Sequence, residues 1–135
     1  MDIREVPIVV TRADYERLST LAEATGRAPR VRDYLAAELE RARVVAADEV
    51  AATVVTMHSR FVFRDDSTGD ERTVSLVYPG EEDIDAGRIS ILTPVGAALL
   101  GLSEGQSIEW ETRSGESRTL TVLRLLSQPS PHPVS

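Results

Sequence analysis

Few side chains in this 135-residue chain are of a type that does covalent chemistry. It has no cysteine, and all 15 basic residues are arginine. That composition removes thiolate nucleophiles and metal ligands, a Schiff-base amine and a phosphate-gripping P-loop lysine together. The two histidines, His58 and His132, lie far apart, and neither has the company of a general base or metal ligand. The one dense carboxylate run, Glu81, Glu82, Asp83 and Asp85, does not match the spacing of a calcium loop and reads as a solvated acidic connection. Arg27, Arg30 and Arg32 form a basic cluster, suited to a solvated turn or to contact with an acidic surface. Phe61 and Trp110 read as core residues. No catalytic residue, metal ligand or cofactor site is expected. What remains is shape: any function of the stretch Ile89 to Gly105, where a strand gives way to a helix, lies in the surface its residues present to a partner.

Ile89 and Ile91 alternate toward a core, Thr93 can cap, Pro94 suits a first helical position with no N–H to satisfy, and Gly101 can end the turn. Upstream, Thr11-Arg12-Ala13-Asp14 is a capping-type start to a segment with Tyr15, Leu18, Leu21, Ala22 and Thr25 at helical spacing. Gly26-Arg27-Ala28-Pro29 breaks it. Val31, Leu35, Leu39, Ala42 and Val45 then recur every three or four residues, predicting a second amphipathic helix that ends near Ala47. The pair reads as an antiparallel helical hairpin, a coiled-coil finger with arms of about 14 to 17 residues, or about 20–25 Å.

From Thr53 the period changes to two. Val54–Met57, Arg60–Arg64, Thr73–Tyr78, Arg88–Leu92, Ser107–Glu111 and Thr119–Leu125 are strand-like. Asp65 to Asp70 and Arg113 to Glu116 read as hairpin loops, and Pro79-Gly80 opens a longer acidic connection. The expected class is therefore α+β: the helical hairpin over residues 1–47, a domain of antiparallel strands around one short helix over 48–127, and a proline-rich tail over 128–135.

Composition narrows the partners. Hydrophobic residues at 41% and charged residues at 27% describe a soluble globular chain. The absence of cysteine fits a reducing cytoplasm. The apolar run Val6 to Val10 is too short for a signal-peptide core or a membrane span. Residues 1–47 hold 8 Arg against 8 Asp and Glu, and residues 48–135 hold 7 against 14, so the net charge of −7 lies in the larger part. That part repels phosphate backbones, and direct, specific nucleic-acid binding is not expected.

The string Ile89 to Gly101, followed by Gly105 and a strand pair around Arg113-Ser114-Gly115, resembles the C-terminal domain of the bacterial Gre transcript-cleavage factors. Asp48-Glu49, Val54 to Arg60 and Thr73 to Pro79 resemble the Gre-related Rnk family, named for regulation of nucleoside diphosphate kinase. The resemblance spans about residues 7 to 127. It implies an FKBP-like C-terminal domain that docks on RNA polymerase at the rim of the secondary channel, with the finger beside the entrance, in a cytoplasmic monomer. The docking junction carries over to Leu92, Thr93 and Pro94, with Val95 adjacent. An acidic residue commonly precedes the Ser-Pro pair in Gre factors, whereas Leu92 and Thr93 stand here. Gre factors hold a catalytic magnesium with carboxylates at the finger tip. The tip here, Ala24 to Arg32, is basic; Glu23 and Asp33 flank it. The resemblance thus implies a non-enzymatic regulator that binds polymerase and competes with Gre-type factors, affecting nucleoside diphosphate kinase levels indirectly. The alternative is a Gre-type factor that itself stimulates transcript cleavage. Prolyl isomerase activity does not carry over, because two Phe, three Tyr and one Trp are too few for an aromatic-lined pocket.

Overall fold

The computed structural model describes residues 7–111 and 115–129. The expected turn at Arg113 and Ser114, the end of the tail and His132 lie outside the described residues. Strand β1 (Val9–Thr11) leads directly into helix α1 (Arg12–Glu23), and helix α2 (Pro29–Arg41) returns to strand β2 (Arg43–Val45). Thr11 caps α1 as its spacing predicts, its side chain accepting from the Asp14 N–H at 3.2 Å.

The second helix stops at Arg41, short of the predicted end near Ala47. Ala42 is extended, the Arg43 N–H donates to the Ile8 carbonyl at 2.8 Å, and Arg43–Val45 pairs in parallel with Val9–Thr11. β-Branched Val44 and Val45 favour this pairing over another helical turn. The arms are therefore 12 and 13 residues, about 18 and 20 Å long at 1.5 Å per residue. A single 3-10 turn, Ala47–Glu49, follows.

Strands β3 (Arg60–Asp65), β4 (Asp70–Val77), β5 (Arg88–Ser90), β6 (Ser107–Glu111) and β7 (Ser117–Ser127) form one sheet in the order β5-β4-β3-β7-β6, with helix α3 (Pro94–Leu99) against it. The Asp65–Asp70 hairpin forms as its turn residues predict, with Gly69 at φ 79°. Two expectations are corrected. The sheet is mixed rather than antiparallel, because residues 78–87 carry the chain back along the sheet edge, so that β5 enters parallel to β4. Val54–Met57 is buried but makes only an isolated bridge, Val54 to Ser103. Its backbone is spent on the turn after α3: the Val55 N–H donates to the Leu102 carbonyl and the Gly101 N–H to the Val55 carbonyl, at 2.8 and 2.9 Å. His58 then breaks the extended path with φ 64°.

One apolar core joins the finger's base to the sheet. Leu18 and Leu35 from the finger and Phe61, Leu76, Ile91 and Leu99 from the C-terminal part are all 0% exposed within it. Each such side chain contributes about 1.5–3 kcal/mol by burial. Gly101 lies where Ile8 crosses: a Cβ there would sit 2.4 Å from the Ile8 Cβ, and the residue has φ 81°. Only glycine meets both demands. Among the described residues no helix is long and apolar enough to cross a membrane.

Candidate docking junction and finger

The junction between β5 and α3 is held by its own polar groups. The Thr93 hydroxyl donates to the Ser90 carbonyl at 2.7 Å and accepts from the Gly96 N–H at 3.0 Å, capping α3. The Leu92 N–H donates to the Ser90 hydroxyl at 3.1 Å, and the Thr93 N–H to the Ser90 carbonyl at 3.1 Å. These bonds end β5 at Ser90, two residues before its predicted end. Gly96 makes the turn this tight, because a Cβ there would lie 2.4 Å from the Ser90 carbonyl oxygen. Thr93 and Pro94 are exposed, while Leu92 and Val95 are half-buried against the core. The four residues form a fixed corner with its hydrogen-bonding capacity largely used internally, leaving a mainly apolar outer surface.

The finger tip has the opposite character. Of the basic cluster Arg27, Arg30 and Arg32, the last is half-buried. Its guanidinium folds back, donating to the Arg27 carbonyl at 2.7 Å and to the Leu21 carbonyl, and so ties the turn between the arms. Arg27 and Arg30 are exposed. Ala28 takes the left-handed conformation, φ 59°, so that Pro29 can open α2. Glu23 and Asp33 line one shallow hollow with Thr25, Pro29 and Arg32.

A third cluster lies at the finger's base. Asp14 in the first turn of α1 accepts from the Met57 N–H at 3.2 Å and the Tyr78 hydroxyl at 3.4 Å. Arg17, one turn on, lies 3.7 Å over the Tyr78 ring, and His58 meets that ring edge-on with centroids 5.5 Å apart. His58 Nε2 donates to Glu81 at 2.9 Å, and the Tyr78 N–H donates to the same oxygen at 3.0 Å. Burial pushes the Asp14 carboxyl above the usual carboxylate range, and burial beside Asp14 raises the Tyr78 hydroxyl. The hydrogen bond from His58, with that from the Tyr78 backbone, lowers Glu81. The partners are 43 and 64 residues from Asp14, so no local spacing announces them. His58 and Glu81 are thus brought together as parts of a latch between finger and sheet.

Residues 50–126 match the family model for the C-terminal part of the transcription elongation factors GreA/GreB. That match sets the class: a Gre-type module with its strand-to-helix corner at residues 90–96. Residues 7–45 match the model for the Rnk N-terminus. Over 123 residues the chain is 42% identical to the regulator of nucleoside diphosphate kinase of Escherichia coli K12, covering 90% of each chain. It is 35% identical over 78 residues to the transcription elongation factor GreA of Azorhizobium caulinodans, covering 58% of this chain and 50% of that relative. A solved structure described as a prokaryotic transcription elongation factor GreA/GreB from Nitrosomonas europaea superimposes with a TM-score of 0.74 at 41% identity, over 90% of this chain and 98% of that one. The chain belongs to the GreA/GreB family, in its Rnk branch.

Proposed function

We propose that this protein is a non-enzymatic, cytoplasmic transcription regulator that binds RNA polymerase at the rim of its secondary channel and competes there with Gre-type cleavage factors. The docking module is residues 48–127, with Leu92, Thr93, Pro94 and Val95 at the contact, and the finger is residues 1–47. The protein acts as a monomer. Its effect on nucleoside diphosphate kinase, the activity for which its relative is named, is indirect and runs through transcription.

The observation that carries this reading is the finger tip. A cleavage factor needs carboxylate oxygens there to hold magnesium. This tip exposes Arg27 and Arg30 and folds the Arg32 guanidinium back onto the Arg27 and Leu21 carbonyls. Cations there repel a divalent ion, and arms of about 18 and 20 Å reach less far than the sequence periodicity alone predicts. The corner at Leu92 to Val95 supports docking: it is fixed by local hydrogen bonds and offers apolar surface, a contact weakly dependent on salt.

Binding to purified core polymerase tests the docking residues. Leu92→Asp places a charge in the apolar corner and is expected to weaken binding at least about tenfold, as for a central interface residue. Pro94→Ala is expected to weaken it less. Wild-type affinity in both variants would refute the docking assignment.

A further inference from the structure

The acidic C-terminal part sorts its few cations by face. Of the 7 arginines in residues 48–135, Arg64 pairs with Asp66 at 2.6 Å and Arg118 with Asp65 at 2.9 Å. Arg60, Arg88 and Arg124 are exposed and make no ion pair or side-chain hydrogen bond among the described residues. Strand register puts all three on one side of the sheet. Phe61, Val74, Leu76 and Ile89 turn toward the core, so the alternate positions Arg60 on β3, Ser75 on β4 and Arg88 on β5 turn away from it. Arg60 is opposite Ser75 and Ser75 is opposite Arg88, so the three stand in one row across the sheet. Arg124 on β7 is opposite Val62, one row along.

The row contains a hollow. Arg88, Ser75, Val77, His58 and Glu81 line a depression of about 380 Å³. Arg88 follows four carboxylates, Glu81, Glu82, Asp83 and Asp85, yet lies within ion-pair distance of none of them and borders the hollow instead. The Ser75 hydroxyl likewise has no partner among the described residues. Glu81 is already engaged, one of its oxygens accepting from His58 Nε2 at 2.9 Å and from the Tyr78 N–H at 3.0 Å. The hollow thus offers an unpaired hydroxyl and an unpaired guanidinium. Arg60 stands across the serine, its backbone about 10 Å from that of Arg88, two strand spacings away.

Two arginines on opposite sides of a hydroxyl suit one shape of anion. A carboxylate presents two coplanar oxygens and is satisfied by a single arginine fork. A phosphoryl group presents three acceptor oxygens around a tetrahedral centre, enough for two forks and a hydroxyl together.

We propose that Ser75, Arg88 and Arg60 form a binding site for the phosphate group of a small ligand. The site is separate from the Leu92 to Val95 corner and does not rest on the polymerase reading. Phosphate is also carried by nucleic acid, but residues 48–135 hold 14 acidic residues against 7 arginines, and Glu81, Glu82, Asp83 and Asp85 are exposed in the connection that leads into Arg88. An extended polyanion is repelled there, while a compact one meets two guanidinium groups.

The test is a titration of the purified protein with inorganic phosphate and pyrophosphate, read by amide NMR shifts at constant ionic strength. Saturable shifts are expected at Ser75, Gly87 and Arg88. Arg88→Gln is expected to weaken pyrophosphate binding at least about tenfold and Arg60→Gln about threefold, each melting like wild type. Arg72→Gln, on the same strand as Ser75 but in register with core-facing Phe63, is expected to bind like wild type. Acetate is expected to leave the three amides unshifted. Absence of saturable shifts at these amides, equal shifts at Arg27 and Arg30 of the finger tip, or wild-type affinity in Arg88→Gln would refute the site. A single-stranded RNA oligonucleotide that shifts the same amides at lower concentration than pyrophosphate would assign the arginines to nucleic acid and overturn the proposal. No polymerase enters these measurements, so a negative result leaves the docking reading standing.

Discussion

The docking corner and the finger tip are both sharp turns between regular elements, and they are built in opposite ways. At the corner, Ser90 and Thr93 close the turn with hydroxyls and leave an apolar surface outward. At the tip, Arg32 closes the turn with a guanidinium, and cations face solvent. The corner sits on residues of 0% exposure, Ile91 and Leu99, whereas the tip lies at the far end of the arms from that core. A turn that packs on the core cannot change without unfolding its surroundings. A turn at the end of a finger is free to take almost any chemistry. In this account, docking depends on the first and the loss of cleavage chemistry on the second.

The largest expected effect breaks the corner. Gly96→Ala puts a Cβ 2.4 Å from the Ser90 carbonyl and 2.9 Å from the Thr93 hydroxyl, and is expected to cost about 3 kcal/mol in denaturant unfolding, with polymerase binding lost as well. Arg32→Ala removes the tip's tie to the Leu21 and Arg27 carbonyls. It is expected to cost about 1 kcal/mol and to raise hydrogen exchange at the tip while leaving the sheet protected. Ala28→Gly relieves a left-handed alanine and is expected to stabilise by up to about 1 kcal/mol in the same unfolding measurement.

The base of the finger offers a test by pH. Asp14 is raised in the fold by burial, so its contribution favours folding below its unfolded pKa and is lost as pH rises through its folded one. Glu81 is lowered by its hydrogen bonds to His58 and the Tyr78 backbone, and contributes stability above its unfolded pKa that is lost as pH falls through the folded one. Asp14→Asn is therefore expected to gain stability relative to wild type toward neutral pH, and Glu81→Gln to lose it there, with both differences shrinking in acid. Unfolding curves between pH 4 and about 7 check the signs. Smallest of all, Arg30→Ala at the exposed tip is expected to leave stability within about 0.5 kcal/mol of wild type.

What was legible in the sequence was whatever depends on neighbours in the chain. Thr11 and Pro94 mark helix starts, Asp65 to Asp70 a hairpin, and Thr93 a cap, because each works through its own backbone or through neighbours within one turn. Two of the failures share one cause, a competing partner far along the chain. Val45 continues a helical spacing, yet the backbone of Val9 to Thr11 recruits it, with Val44, into a strand. Val54 to Met57 alternates like a strand, yet the turn after α3 takes its hydrogen bonds. The parallel entry of β5 depends on the path of residues 78–87, which their composition does not reveal. Among the candidate site residues, Leu92 to Val95 form one corner, and Arg32 braces the tip through the Arg27 and Leu21 carbonyls. The latch of Asp14, Arg17, Tyr78, His58 and Glu81 has no signature in the sequence, since ordinary polar residues acquire roles there only once the finger folds onto the sheet.

The central claim, docking without cleavage, is tested most directly by adding the purified protein to backtracked polymerase complexes, alone and with a Gre factor. The expected result is no RNA shortening by the protein alone and a concentration-dependent suppression of Gre-stimulated shortening. RNA shortening by the protein alone, or undiminished Gre activity at saturating protein, would contradict it.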